Sequence, residues 1–195
     1  MTCRKFTVWF LFLLITPNLL AHPHLFIENH VTIVFDQNGL AGFQYRWVFD
    51  EISGASYIMD YDSDQDGSFS GKELAILKSE AFDNLRDYNY MSHVEIDGKT
   101  FIVKYTTDFL ASIEDNKLVY RFFIPCHVKA ISSSKKIILS VYDDSFFVDF
   151  SLQRDTFGFV NNASFQVKHR IFQNTQKSYY FDQLHPIEIE LIFSK

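Results

Sequence analysis

Seven glycines and four prolines in 195 residues are few, which excludes collagen-like and low-complexity classes and leaves no Gly/Pro-rich linker between domains. Cysteine is scarcer still. Cys3 precedes an apolar N-terminal run and Cys126 stands alone, so a chain that has lost its first residues cannot close an internal disulfide. Positive charge is also short: 18 basic residues face 24 acidic ones, for a net charge of -6. Residues 1–21 carry Arg4 and Lys5 and no acid, so their removal takes the charge from -6 to -8. That balance argues against a phosphate-bearing partner, excludes nucleic acid, and suits cations. No apolar run is long enough to span a bilayer, the N-terminal one being Phe6 to Ile15. The chain has no phosphate-cradling glycine loop, no C-x-x-C and no H-E-x-x-H, and no catalytic set can be chosen among its many Ser, His and Asp residues. These absences point away from an enzyme.

Aromatic residues are abundant, with 22 Phe and 10 Tyr. Together with Val and Ile they favour strands and supply a sizeable core. Arg4-Lys5, the apolar run, Pro17-Asn18 and Ala21 form the three-part layout of a secretory signal peptide, with cleavage expected before His22. Residues 22–195 then form a single exported domain, periplasmic or secreted, with no membrane span.

Leu25–Phe35 and Leu40–Phe49 are β-rich runs joined by Asp36-Gln-Asn-Gly39, a hairpin turn. Asp50-Glu51 opens a helix with Asp50 as its cap, followed by Ile52, Ala55, Ser56 and Met59 at helical spacing. Leu74, Leu77, Ala81, Phe82 and Leu85 give a second helix with one apolar face. Strands resume from Met91, with turns at Asp97-Gly98 and Glu114–Lys117. Lys136–Tyr142, Phe146–Leu152, Phe159–Phe172 and Ile187–Phe193 complete about eight to ten strands. The expected fold is mainly β within the α+β class: an antiparallel β-sandwich with an EF-hand-like helix–loop–helix inserted at about residues 50–88.

Between the two helices the chain reads Asp62-Ser-Asp64-Gln-Asp66-Gly67-Ser68-Phe69-Ser70-Gly-Lys-Glu73, the twelve-residue EF-hand pattern D-x-D-x-D-G-x-F-S-x-x-E. Asp62, Asp64 and Asp66 offer hard carboxylate oxygens, Gly67 makes the sharp turn, and Ser68 gives its carbonyl. Ser70 ligates through water, and Glu73 closes the shell with both oxygens. The pattern points to calcium. No second loop of this kind occurs, so a structural or weakly tuned site is expected rather than a paired sensor.

His22-Pro23-His24 at the expected mature start offers an α-amine and two imidazoles, a donor set suited to Ni²⁺, Zn²⁺ or Cu²⁺. Pro23 lacks an amide hydrogen, which disfavours the square-planar amino-terminal copper arrangement. Cys126-His127 is a further soft pair, although Cys126 equally suits a small buried apolar position.

His22-Pro-His24, Trp47-Val-Phe-Asp50-Glu51 with Ser53, the loop at 62–73, and Val141-Tyr-Asp143 with Phe146-Phe147 occur in this order. Together they resemble the bacterial family known as domain of unknown function 1007. Its members are described as periplasmic components of ABC-type transport systems, some linked with nickel/cobalt transporters. The resemblance implies an exported accessory protein that binds or passes a transition-metal ion to an inner-membrane metal transporter. The alternative is a structural or interaction module that binds only calcium. The amine-plus-imidazole start also resembles that of copper-dependent oxidases, which gives an enzymatic reading less weight than either.

Overall fold

The computed structural model describes residues 23–195 other than Gln153. Eleven strands form two facing sheets. The first five are β1 (Leu25–Asp36), β2 (Gly39–Phe49), β3 (Ser92–Ile96), β4 (Lys99–Phe101) and β5 (Thr107–Glu114). They are followed by β6 (Lys117–Lys129), β7 (Lys135–Val141), β8 (Val148–Ser151), β9 (Phe157–Val160), β10 (Gln166–Gln173) and β11 (Ile187–Ser194). One sheet runs β5-β6-β2-β1-β8, with β9 also on β1, and the other runs β10-β11-β7-β3-β4. The protein is mainly β with a helical segment between β2 and β3.

The antiparallel expectation holds for all pairs but two. β8 and β9 both run parallel to β1, at Leu25–Glu28 and Val31–Val34 respectively. The chain crosses from β7 in the second sheet to β8 in the first, and such a crossover leaves strands parallel. The expected single strand Phe159–Phe172 is divided: β9 lies in the first sheet and β10 in the second. Asn161, in the left-handed region at φ 60, opens the short 3₁₀ turn where the chain changes sheet. Asn tolerates that conformation better than most residues.

Alternation explains the core. β1 buries Leu25, Ile27, Asn29, Val31, Ile33 and Phe35 and turns the intervening residues outward. Phe35 of the first sheet meets Phe193 of the second edge-to-face at 5.3 Å between ring centres. The Ser92 hydroxyl of β3 and the Tyr45 hydroxyl of β2 are hydrogen-bonded at 3.0 Å. Tyr45 stacks on Phe122 in the middle, and Trp47 and, from the helical segment, Phe82 meet Phe122 edge-on. One cluster of buried side chains therefore unites both sheets and the insertion.

The insertion begins with α1 (Glu51–Tyr61) and α2 (Gly71–Leu77). Ile52 and Met59 are exposed, so the apolar spacing expected of α1 does not mark its buried face. That face is Gly54, which is buried, with Tyr57, Ile58 and Tyr61 packed on the core. A Cβ at position 54 would stand 3.3 Å from the Leu118 nitrogen, so glycine is what lets α1 lie close over β6. The second helix is not continuous to Leu85. It loosens into a π turn at Lys78–Phe82 and tightens into 3₁₀ turns over Asp83–Met91 that are broken by a kink with non-helical angles at Tyr88, Asn89 and Tyr90. Among the described residues no helix is long and apolar enough to cross a membrane.

Candidate metal centre

α1 ends where its own polar residues offer better partners than another helical turn. The Asp62 amide still closes on the Ile58 carbonyl at 2.8 Å, and the Asp62 side chain then turns into the loop, buried. Its Oδ2 accepts from the Gly67 amide at 3.0 Å and its Oδ1 from the Asp66 amide at 3.2 Å. Asp64 Oδ1 accepts from the same Asp66 amide at 3.3 Å. Asp66 Oδ1 accepts from the Ser68 amide and hydroxyl, both at 2.8 Å. Gln65 and Gly67 take left-handed backbone angles, φ 58 and φ 82, which curl the chain so that the three aspartates face one centre.

The outgoing side is a capping box. The Ser70 hydroxyl accepts from the Glu73 amide at 3.4 Å, and Glu73 Oε2 accepts from the Ser70 amide at 2.9 Å. Glu73 Oε1 reaches across the loop to the Ser63 amide at 2.7 Å and the Ser63 hydroxyl at 2.5 Å. The Ser63 hydroxyl, followed by the Ser70 amide, holds the Glu73 carboxyl down to about 2. Ser63 is the residue that motif spacing passed over: it sits at the unconstrained second loop position, and only the fold shows that it ties the two ends of the loop together. Phe69 packs partly buried against the core.

Asp62, Asp64 and Asp66 each present one carboxylate oxygen, and these oxygens lie within 4.8 Å of one another. Oxygens on opposite sides of a calcium ion, each ~2.3–2.6 Å from it, lie ~4.6–5.2 Å apart, so the triangle has the dimensions of a hard-cation shell. None of the three aspartates has a lysine or arginine partner within 4.0 Å among the described residues. Glu73 does not join the triangle; its oxygens are engaged by Ser63 and Ser70.

The histidines do not converge. His22 lies outside the described residues. His24 is exposed, its amide donating to the Phe147 carbonyl at 3.0 Å and its ring 5.0 Å from the Phe147 ring. His30 pairs with Glu28 at 2.8 Å, His93 stacks on Tyr142, His169 lies between Phe157 and Phe159, and His185 meets the Lys177 carbonyl. Cys126 is half-buried beside the Leu40 carbonyl, and burial pushes its thiol up to about 12, which disfavours the thiolate a metal needs. His127, next to it, is exposed. Among the described residues, the aspartate triangle is the one group of three His, Cys, Asp or Glu side chains close enough to share an ion.

A family model described as a protein of unknown function (DUF1007) matches residues 7–185. The chain belongs to this family. Similar proteins include the uncharacterised 15.5 kDa protein of the trpE 3′ region of Spirochaeta aurantia, 38% identical over 92 residues, or 47% of this chain. An uncharacterised protein of Haemophilus influenzae is 28% identical over 139 residues, or 70% of this chain. The match covers 65% of the length of each of these relatives. The DUF1007 match takes in the whole helix–loop–helix and β1 to β10, and ends just before β11.

Proposed function

We propose that this DUF1007 protein is an exported calcium-binding accessory protein that works beside a transition-metal transporter of the inner membrane. The observation that carries the calcium half is the triangle of Asp62, Asp64 and Asp66 oxygens, three hard donors without a lysine or arginine partner among the described residues, at the spacing of one ion. Ser68 adds its carbonyl, Ser70 a bound water, and Glu73 turns from Ser63 to close the shell. The lone loop, in an extracytoplasmic setting, suits affinity in the ~0.1–1 mM range, a structural use that ties α1 to α2. The metal-handling half rests on the His22-Pro-His24 start and on the transport association that the family resemblance implies. Nickel, cobalt, zinc or copper is the cargo class that amine and imidazole donors favour.

A second reading has an observation of its own. Among the described residues no three histidine, cysteine or acidic side chains outside the loop come together, which favours a structural module whose one ion is calcium.

Calcium titration by calorimetry tests the shared part. One binding site, lost when Asp62→Asn and Asp64→Asn are combined, is expected. Absence of heat together with an unchanged melting temperature overturns it. Metal analysis after native purification then separates the two readings: retained nickel, cobalt, zinc or copper supports the transport role, and calcium alone supports the structural module.

A further inference from the structure

A cavity of about 590 Å³ opens at the end of the sandwich, where both sheets meet the helical insertion, and loop 62–73 contributes nothing to its lining. Its volume falls within the ~300–1,000 Å³ of small-molecule sites. The floor is apolar and rigid: Ile27, Trp47, Tyr120 and Val148 are all buried and belong to strands. The rim is half-exposed aromatic, with Tyr88 on one side and Phe147 on the other.

Charge at the rim has one sign. Asp87, Asp143 and Asp144 line the cavity, and no lysine or arginine does. Asp143 is spent on structure, accepting from the Ser145 amide and hydroxyl and from the Val148 amide at 2.9, 2.8 and 3.1 Å. Asp87 and Asp144 are exposed and have no basic partner within 4.0 Å among the described residues. His93 at the edge is stacked 3.7 Å from Tyr142, with Nε2 donating to the Tyr142 carbonyl at 3.1 Å. Lys177, which borders the neighbouring hollow with His93, is paired with Glu95 and Glu188.

One side of the mouth is also strained. Asn89, Tyr90 and Met91 are three consecutive non-glycine residues in the left-handed region, at φ 51, 51 and 56. The surrounding fold imposes this conformation: Tyr90 is buried, its carbonyl accepts from the Ser92 hydroxyl, and the Met91 carbonyl accepts from the Tyr142 amide. Strain held in this way clusters at ligand clamps and switch segments. Here it fixes Tyr88 and Asn89 at the mouth, opposite Asp144 and Phe147.

We infer that the cavity binds a small organic cation, an apolar body seated on the Trp47 floor with an amine held at the rim by Asp87 and Asp144 among aromatic faces. Charge complementarity selects the cation. An anion would meet three carboxylates and no lysine or arginine, and the exposed Tyr88 ring also favours positive charge. No residue of loop 62–73 lines this site, so it is assigned on observations separate from the calcium reading.

Three probes with one chain test the assignment: decylamine, decanol and decanoate, titrated into the purified protein in chelator and followed by calorimetry. Decylamine is expected to bind at least about tenfold more tightly than decanol, and decanoate more weakly than either. Asp87→Asn combined with Asp144→Asn, both exposed positions, should bring decylamine down to the affinity of decanol. Ala81→Phe, which fills part of the cavity, should weaken all three. Absence of binding by every probe, decanoate binding as tightly as decylamine, or an unchanged decylamine affinity in the double variant overturns the assignment. Should Ala81→Phe fail to fold, the double variant decides.

Discussion

Gly67 and Gly71 both lie within the loop at 62–73, and in both cases a Cβ would enter open space. Substitution there perturbs the backbone alone. Gly67 has φ +82, so alanine is forced into the left-handed region at a cost of ~1–2 kcal/mol if the turn is kept. Gly71 is the first residue of α2, just inside the Ser70 cap, where alanine gains up to about 1 kcal/mol. In a chain of this size each kcal/mol moves the melting temperature by ~2–4 °C. Gly67→Ala should therefore lower it by ~2–8 °C and Gly71→Ala raise it by up to about 4 °C. Calcium at about 10 mM, with Kd ~0.1–1 mM, adds ~1.4–2.7 kcal/mol to the wild type. The Gly67 amide donates to Asp62, so the turn is part of the donor triangle. In chelator the loop can relax away from the strain; with the ion in place it cannot. Scanning calorimetry in chelator and in calcium should thus show a smaller calcium increment in Gly67→Ala than in wild type, and an unchanged one in Gly71→Ala. Shifts of the same sign for both variants, or equal calcium increments, would refute the reasoning.

Trp47 donates its indole N–H to Asn29 Oδ1 at 3.0 Å, and Asn29 Nδ2 is buried with no partner among the described residues. Trp47→Phe should cost ~2–4 kcal/mol in urea unfolding, and adding Asn29→Val should recover ~1–3 kcal/mol by removing the orphaned amide; a double variant no better than the single one counts against this. Arg170, then Lys136, hold the Glu190 carboxyl at about 2, against an ordinary 4.5. Its folded value lies below its unfolded one, so the stability it adds is complete above the unfolded value and disappears as pH falls towards the folded one. Glu190→Gln should flatten the fall in urea midpoint between about pH 5 and about pH 3, leaving the part due to Glu73 and to Glu114, which Arg121 holds at about 2 as well. An unchanged slope would show that the Arg170 pair does not outlast solvent screening.

Local patterns were readable where one residue's neighbours are its sequence neighbours. Alternation in β1, the Asp36–Gly39 turn and the Asp50 cap all translate directly into structure. What failed to read depended on distant partners. Ile52 and Met59 have helical spacing, but α1 docks through Gly54, where a Cβ would press on the Leu118 backbone at 3.3 Å. Leu85 continues the apolar face of α2, yet the segment changes pitch twice before Met91, because Phe82 must reach Phe109 and Phe122 while Tyr90 must enter the core. The parallel pairing of β8 and β9 with β1 leaves no trace in either short strand. The cavity drew no signal at all, since its lining comes from seven separate stretches whose apolar residues look like ordinary core.

Asp50 shows how a residue read for one purpose serves two. As a helix cap its Oδ1 accepts from the Ile52 and Ser53 amides, both at 3.0 Å. Its Oδ2 accepts from the Phe26 amide at 3.1 Å, and its own amide donates to the Phe26 carbonyl at 3.0 Å. Ser53 adds a hydroxyl bond to the His24 carbonyl at 3.3 Å. The start of α1 is thus fastened to the start of β1, and residues 24–26 are held beside the helix that leads into the acidic loop. Burial alone would raise the Asp50 carboxyl, but the Ser53, Phe26 and Ile52 amides together hold it below its ordinary value. Asp50→Ala removes the cap and the tie at once and should cost ~1–2 kcal/mol. Asp50→Asn keeps a capping oxygen and should recover the helix without the Phe26 bond. Hydrogen exchange separates the two functions: in Asp50→Ala the amides of Phe26, Ile52 and Ser53 should all lose protection, whereas in Asp50→Asn only Phe26 should. Phe26 protection left intact in Asp50→Ala would mean that β1 is positioned by its ladder alone, and that nothing in α1 is transmitted to the residues around His24.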